Sequence, residues 1–510
     1  MDRSQWFEKT PARSPALSSP RSRGDTAELN RIKGAWTGKG EHSWPTGGLD
    51  LPRSAHIYWN SRTNYTRNLF CMCSAREESA MLLRFEISNH RSIMDPVELS
   101  MIAVDKDRES ARPLGWGDEK ALTVAGIYGA NGSGKTNVLD GFAWLQHAVR
   151  SSLKGWERAI PRDPFGFGAE DARPSGFGLD IVVDGVHHRY ELAVDDSTVQ
   201  FEALYSYPQR RQRALFVREG EDVAFRRGTR ITGGGRELLT STTLALSVAS
   251  RLTEEIEAVA AAVRGISFIG VWPRSFMPAD IRMHRFGFGR GRHDWHESLL
   301  EVFGDESPKA SAGGDSSGRS RQDADRARAL AMLRFADFGV HDVEVADHSD
   351  EVGYRGRRLR LLHDVAGTPR PLELGEESSG TLTWLELMPD LLAVLQDGGV
   401  LVVDELDSSL HPAISGKLVE MFQDPETNRH DAQLIFTTHD TSLLGSLNRD
   451  EVWLTDKRSN GSTDLTPLSD FRGDRVRRST NLERGYLQGR FGGVPVVDQY
   501  VVREALGLDA

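Results

Sequence analysis

The feature that most constrains this chain is the stretch GIYGANGSGKTNVLDGF, in which Gly129, Gly134, Lys135 and Thr136 have the spacing of a phosphate-binding loop. Glycines there let successive backbone N–H groups turn inward on an anion, where a side chain would block the approach. Lys135 adds a positive charge and Thr136 a hydroxyl suited to Mg²⁺, with Asn131, Gly132 and Ser133 completing the loop. The flanks fit. Ala121 to Tyr128 reads as a buried strand feeding the loop, and Asn137, Val138, Leu139, Phe142 and Leu145 open a helix whose positive end faces the phosphates.

A second apolar run, VLVVDE, ends in Asp404 and Glu405, the form of a strand that delivers carboxylates to the carboxyl end of a parallel sheet. Asp404 is placed to hold Mg²⁺ through a water, and Glu405 to polarise the water attacking a γ-phosphate. Leu406, Asp407 and Ser408 follow directly. A third buried run, LIFTTH, ends in His439, at a distance from the carboxylates that suits a γ-phosphate contact. Upstream, EESSGT places Ser378, Ser379 and Gly380 at the head of an apolar helical stretch through Leu391, a turn that presents free N–H groups.

Taken in order, these motifs resemble those of ABC-type ATPases of the RecF and SMC-like branch: Walker A at Gly129 to Thr136, a signature-like Ser378, Ser379 and Gly380, Walker B at Asp404 and Glu405, a D-loop at Asp407 and a switch His439. The usual signature is Leu-Ser-Gly-Gly; here Glu377 and Ser379 stand in place of the leucine and first glycine. For the Q-loop glutamine, Gln200 and Gln209 are the candidates. Within the branch the chain is similar to the defence-associated AAA-type ATPases of the RloA-like, abortive-infection and OLD-like groups. MLLRFEISNHRSI from Met81, with its Asn-x-x-Ser turn, resembles the branch as a whole, and the closer likeness to the defence-associated groups rests on EESSGT, on RALFVREG from Arg213, and on NLERGYLQGRFGGVP from Asn481 to Pro495. The resemblance extends from Met81 to the C-terminus.

The resemblance implies an α/β P-loop NTPase of ABC type, with a mixed central sheet, an antiparallel β subdomain and an inserted helical lid. It also implies ATP and Mg²⁺ as ligands and an ATP-dependent homodimer, in which Ser378, Ser379 and Gly380 of one copy cap the γ-phosphate held by the other.

The expected organisation has five parts. Residues 1–80, punctuated by Pro, Ser and Arg, read as a disordered or mis-annotated extension, with translation expected to begin at Met81 and a flexible basic tail as the alternative. Residues 81–243 carry Walker A and an antiparallel meander, and 244–338 a helical lid with a disordered loop near 304–327, where the chain turns to Ser, Gly, Asp and Arg. Residues 339–468 carry the signature, Walker B, D-loop and switch histidine. Residues 469–510 form a tail rich in arginine (Arg472, Arg475, Arg477, Arg478, Arg484, Arg490), which reads either as a solvated face or as a contact for nucleic-acid phosphates or an acidic partner.

Composition narrows the classes. With 63 Lys+Arg against 74 Asp+Glu the formal charge is −11, and no apolar run approaches the ~20 residues of a membrane span, which fits a cytoplasmic protein and excludes a one-chain transporter. Two cysteines, Cys71 and Cys73, are too few for a disulfide framework or a four-ligand zinc site, so a zinc hook is not supported. No sustained heptads separate the Walker motifs, which argues against long coiled coils. No Asn-Lys-x-Asp motif reads guanine, so adenine is the expected base. After His439 come only a hairpin-like stretch, Glu451 to Pro467, and the tail, without the carboxylate cluster of a two-metal nuclease. The leading expectation is the sensor and motor subunit of an anti-phage, abortive-infection-like system acting with a separate effector. The alternative is a RecF-like DNA-binding ATPase in repair.

Overall fold

The computed structural model describes residues 80–156, 159–167, 173–226, 237–251, 253–276, 291–304, 316–337, 339–349, 355–471, 482–493, 503–504 and 506. The expected N-terminal extension, and Arg472, Arg475, Arg477 and Arg478 of the tail, lie outside these residues.

In chain order the first strands are β1 (Ala80–Ser88), β2 (Val97–Ser100), β3 (Ala111–Pro113), β4 (Lys120–Leu122) and β5 (Val124–Gly129), followed by helix α1 (Lys135–Gly155). A meander comes next: β6 (Ser175–Val183), β7 (Val186–Val194), β8 (Val199–Ser206), β9 (Arg213–Glu219) and β10 (Asp222–Phe225). It joins β1 and β2 in a seven-stranded sheet of order β10-β9-β8-β7-β6-β1-β2, paired antiparallel throughout. Strand β7 alternates buried and half-buried residues from His188 to Val194, the pattern of a sheet with one better-covered face.

After helices α2 (Ala245–Ala249) and α3 (Glu254–Arg264) comes the short strand β11 (Ser267–Ile269). Helices α4 (Gly291–Phe303) and α5 (Ser316–Ala336) precede a three-stranded sheet of β12 (Val340–Ser349), β13 (Arg355–Val365) and β14 (Thr368–Glu373). The chain continues through α6 (Ser379–Asp397), β15 (Val400–Val403), α7 (Pro412–Gln423), β16 (Gln433–Thr437), β17 (Val452–Lys457), β18 (Thr463–Pro467) and α8 (Leu482–Leu487).

The second large sheet runs β11-β15-β16-β5-β17-β18, parallel except for β18. Every residue of β5, β15 and β16 is buried, because the sheet has a core on each face. Val402, Ile435, Ala125 and Ile127 face one core, shared with α1, α3 and the antiparallel sheet. Leu401, Val403, Leu434, Phe436 and Tyr128 face the other, shared with α4 to α7. This is a mixed α/β P-loop ATPase fold with antiparallel sheets and inserted helices.

Two expectations for 244–338 are corrected. The stretch is not one lid. Ile256, Val259, Ala260 and Val263 of α3 are buried in the core containing α1, and β11 pairs in parallel with β15, so Ala245–Ile269 belongs to the nucleotide lobe. Nor is the polar segment a disordered loop through 327: helix α5 starts at Ser316. Its Ala, Arg and Gln residues are good helix formers, Arg328 pairs with Asp325 at 2.9 Å, and Ala329 and Leu333 bury one face beside Trp384, whose indole N–H donates to the Met332 carbonyl at 2.8 Å. Composition alone does not show that a core is waiting for that face.

Candidate nucleotide site

The strand order decides what meets at the carboxyl end of the parallel sheet. β16 lies between β5, which feeds the glycine loop, and β15, which delivers Asp404, so the residues leaving β16 emerge between the loop and the carboxylates.

The loop itself is tightly held. Gly134, which caps α1, has φ +108°, and a Cβ there would collide with the side chain of Thr463 on β18, so both backbone and space demand glycine. The first turn of α1 carries no acidic residue, leaving its positive end unopposed. Asn131 and Gly132 are exposed at the crest of the loop, whereas Ser133 is buried, its Oγ 2.6 Å from Thr455 Oγ1 and its carbonyl accepting from Thr463 Oγ1 at 2.8 Å. Lys135 is buried, and its Nζ donates to the Gly129 carbonyl at 2.9 Å and the Ala130 carbonyl at 3.4 Å. Burial pulls its ammonium below the ordinary lysine range, an effect opposed by Asp404, Glu405 and Asp407.

Thr136 Oγ1 donates to both Asp404 carboxylate oxygens, at 3.1 and 2.9 Å. Thr437 Oγ1, from the end of β16, donates to Asp404 Oδ1 at 2.6 Å and accepts from the Glu405 N–H at 2.7 Å. The Asp404 N–H donates to the Ile269 carbonyl of β11 at 2.9 Å. Glu405 then turns into the left-handed region, φ +55°, and its side chain is exposed. The next residue out of β16, Thr438, donates to Asp407 Oδ1 at 2.7 Å, and the His439 N–H lies 3.2 and 3.3 Å from the two Asp407 oxygens, with the His439 residue exposed. The structure thus brings together Gly129 to Thr136, Asp404, Glu405, Asp407 and His439.

Ser378, Ser379 and Gly380 sit elsewhere, at the head of α6. Ser378 Oγ caps the helix, accepting from the Thr381 N–H at 3.1 Å, and Gly380 packs against the Ser409 carbonyl just beyond Asp407. Ser378 and Ser379 are exposed. Neither glutamine candidate reaches the site: Gln200 Nε2 donates to Thr198 Oγ1 and approaches Asp195 on the antiparallel sheet, and Gln209 lies in the turn after β8 with φ +53°.

Sequence reasoning passed over five supporting residues. Thr437 and Thr438 were legible only as the doubled threonine before His439. Thr455 and Thr463 sit in a hairpin whose register against β5 no local pattern reveals. Ser92, in the Asn-x-x-Ser turn, has its Oγ 2.7 Å from Thr463 Oγ1 and accepts from Asn137 Nδ2, tying that turn to the start of α1.

The arrangement offers a nest of N–H groups and an ammonium for an anion, and two hard oxygen donors, Thr136 Oγ1 and Asp404, converging on one place beside it. That donor set fits Mg²⁺, which takes one or two protein oxygens and completes its shell with phosphate and water.

No curated protein matches the chain. Among solved structures it is similar to an SMC head bound to the C-winged helix domain of ScpA, at 12% identity, covering 76% of this chain and 96% of that one with a TM-score of 0.37. It is also similar to the SMC head domain from Thermotoga maritima, at 14% identity, covering 76% and 98% with a TM-score of 0.32. The family described as "AAA domain, putative AbiEii toxin, Type IV TA system" matches residues 124–247 and 276–445, more than half of the chain. The chain belongs to that family and carries its P-loop ATPase domain.

Proposed function

We propose that the chain binds and hydrolyses ATP, and that it does so as the sensor and motor subunit of an anti-phage, abortive-infection-like system with a separate effector. The observation that carries the catalytic part is the hydrogen-bonded series Thr136, Asp404, Thr437 and the Glu405 N–H, which ties the phosphate loop to the backbone of a residue whose carboxylate is exposed. Lys135 and the N-terminal amides of α1 hold the β- and γ-phosphates. Thr136 and Asp404 would hold Mg²⁺, which when bound would draw charge from the phosphate oxygens. Glu405 takes the proton of the attacking water, and His439, kept in line by Asp407, positions that water.

The exposed signature turn supports a second step. Ser378, Ser379 and Gly380 of one copy close on the γ-phosphate held by another, so that two ATP molecules join a head-to-tail dimer. Hydrolysis removes the bridging charge and frees the copies. The family's description as a toxin–antitoxin system supports the defence role. A RecF-like role on DNA is the second reading, favoured by the exposed Arg484 in α8 and Arg490 just after it.

Steady-state turnover with Glu405→Gln, together with phage challenge of cells carrying the gene and its neighbours, tests this reading. Glu405→Gln is expected to lose turnover and protection together. Wild-type turnover in that variant eliminates Glu405 as the base. Protection unaffected by the variant, combined with salt-sensitive, ATP-dependent DNA binding by the purified chain, favours the repair reading.

A further inference from the structure

The segment NLERGYLQGRFGGVP resembles its group closely, yet the mechanism above gives it no part. In the fold its described residues, 482–493, return to the phosphate loop. Helix α8 packs against the turn Thr441–Gly445 that follows His439. Tyr486 lies edge-on to the ring of Tyr128, centroids 6.0 Å apart, and Tyr128 immediately precedes Gly129. The chain then turns at Gly489 and buries Phe491 against Gly485 and Phe471.

The last two described residues of the turn, Gly492 and Gly493, have φ +78° and +71°. The Gly493 N–H donates to Asp456 Oδ1 at 2.8 Å, and Tyr486 Oη donates to the Gly493 carbonyl at 2.8 Å. A Cβ on Gly493 would stand 3.7 Å from the Gly129 Cα, and one on Gly492 would stand 2.7 Å from Asp456 Oδ2. Asp456 follows Thr455, which is the register partner of Gly129 and touches Ser133 Oγ. Burial and Asp456 push the Tyr486 phenol up to about 12, so it remains a donor at neutral pH.

We propose that the Tyr486–Gly493 turn is a positioning element of the nucleotide site: held by Asp456 and Tyr486, it backs the first glycine of the phosphate loop and keeps the loop in its anion-binding shape. The inference rests on the P-loop reading above. The turn touches loop backbone and not the reacting atoms, so its loss changes ATP binding and leaves the chemical step intact once the site is filled.

The test uses the full chain. A fluorescent ATP analogue gives Kd, steady-state assays give kcat and KM, and thermal unfolding without nucleotide reports the fold. Asp456→Ala and Gly492→Ala are expected to raise Kd and KM roughly tenfold with kcat within about twofold of wild type, whereas Asp456→Asn, which keeps an acceptor for the Gly493 N–H, restores most of the affinity. Tyr486→Phe, the mildest change, is expected to raise Kd by about threefold with an unchanged melting temperature.

Hydrogen exchange on the unmutated chain is the second measurement, expected to show Mg-ATP protecting peptides of both 129–136 and 485–493. Wild-type Kd in Gly492→Ala and Asp456→Ala, or no protection at 485–493 while 129–136 is protected, overturns the proposal. Lys135→Ala separates the two levels: if that variant binds ATP like wild type, the P-loop reading itself has failed.

Discussion

Lys135 and Ser378 are both expected at a γ-phosphate, yet the fold treats them in opposite ways. Lys135 is buried, with its ammonium folded onto two loop carbonyls. Around it Thr136, Asp404, Thr437, Glu405, Thr438 and Asp407 are joined by short hydrogen bonds across three parallel strands. Ser378 is exposed at the head of a helix, and its hydroxyl bonds locally, to Thr381. One half of the site is assembled within the chain, and the other is presented outward. That difference fits a site completed by a second copy, and it ranks the effects of breaking each half.

The largest effect belongs to the assembled half. Lys135→Ala removes the only loop cation and is expected to weaken ATP binding by at least ~100-fold, read by titration of a fluorescent analogue. The same variant relieves a buried ammonium, so its nucleotide-free form is expected to melt no lower than wild type.

Next comes Thr437→Val, which keeps the shape of the side chain and deletes the hydroxyl between Asp404 and the Glu405 N–H. A kcat loss of about tenfold is expected, with ATP affinity changed far less, and a stability loss of ~1–2 kcal/mol for the unpaired groups. Thr437→Ser is expected to recover kcat. Equal losses in both variants assign Thr437 to packing alone.

Ser378→Ala probes the outward half. It removes the α6 cap, costing ~1 kcal/mol, and is expected to abolish ATP-driven dimerisation while a single copy binds ATP as before. Ser378→Thr, which retains a capping hydroxyl, controls for the helix. If Ser378→Ala weakens ATP binding by isolated copies, the division of the site into two halves is wrong.

The smallest effect lies outside both halves and separates scaffold from site. On β1, burial is the main cause that lifts Glu86 from its ordinary 4.5 to about 7, with Glu98, Glu191 and Asp180 adding to it and Arg189 opposing. A folded-state pKa raised in an acid means the folded chain keeps a proton that the unfolded chain has released, so this contribution is lost as pH rises from about 4.5 to 7. Glu86→Gln is expected to flatten that window and to stabilise the protein by ~1 kcal/mol at pH 8, with ATP binding unchanged.

The parts legible in the sequence were those whose function is written in residue type. The continuous apolar runs of β5, β15 and β16 announced strands buried on both faces, and the glycines, Lys135 and the Asp404–Glu405 pair marked where those strands end. What escaped depends on partners distant in the chain. β11 is three residues long and becomes a strand only by pairing with β15, yet its Ile269 carbonyl fixes the Asp404 N–H. Thr437 and Thr455 look like ordinary strand threonines until the register sets their hydroxyls against Asp404 and Ser133. Helix α5 hid behind a disorder-like composition because its core partner, Trp384, lies on another helix.

The central claim, that two copies complete each other's sites around ATP, is tested most directly by size-exclusion chromatography with light scattering. The sample is Glu405→Gln, with and without Mg-ATP, beside Lys135→Ala. The account predicts a doubling of mass that requires both ATP and Lys135. A mass unchanged by ATP, in a protein shown to have bound it, contradicts the account.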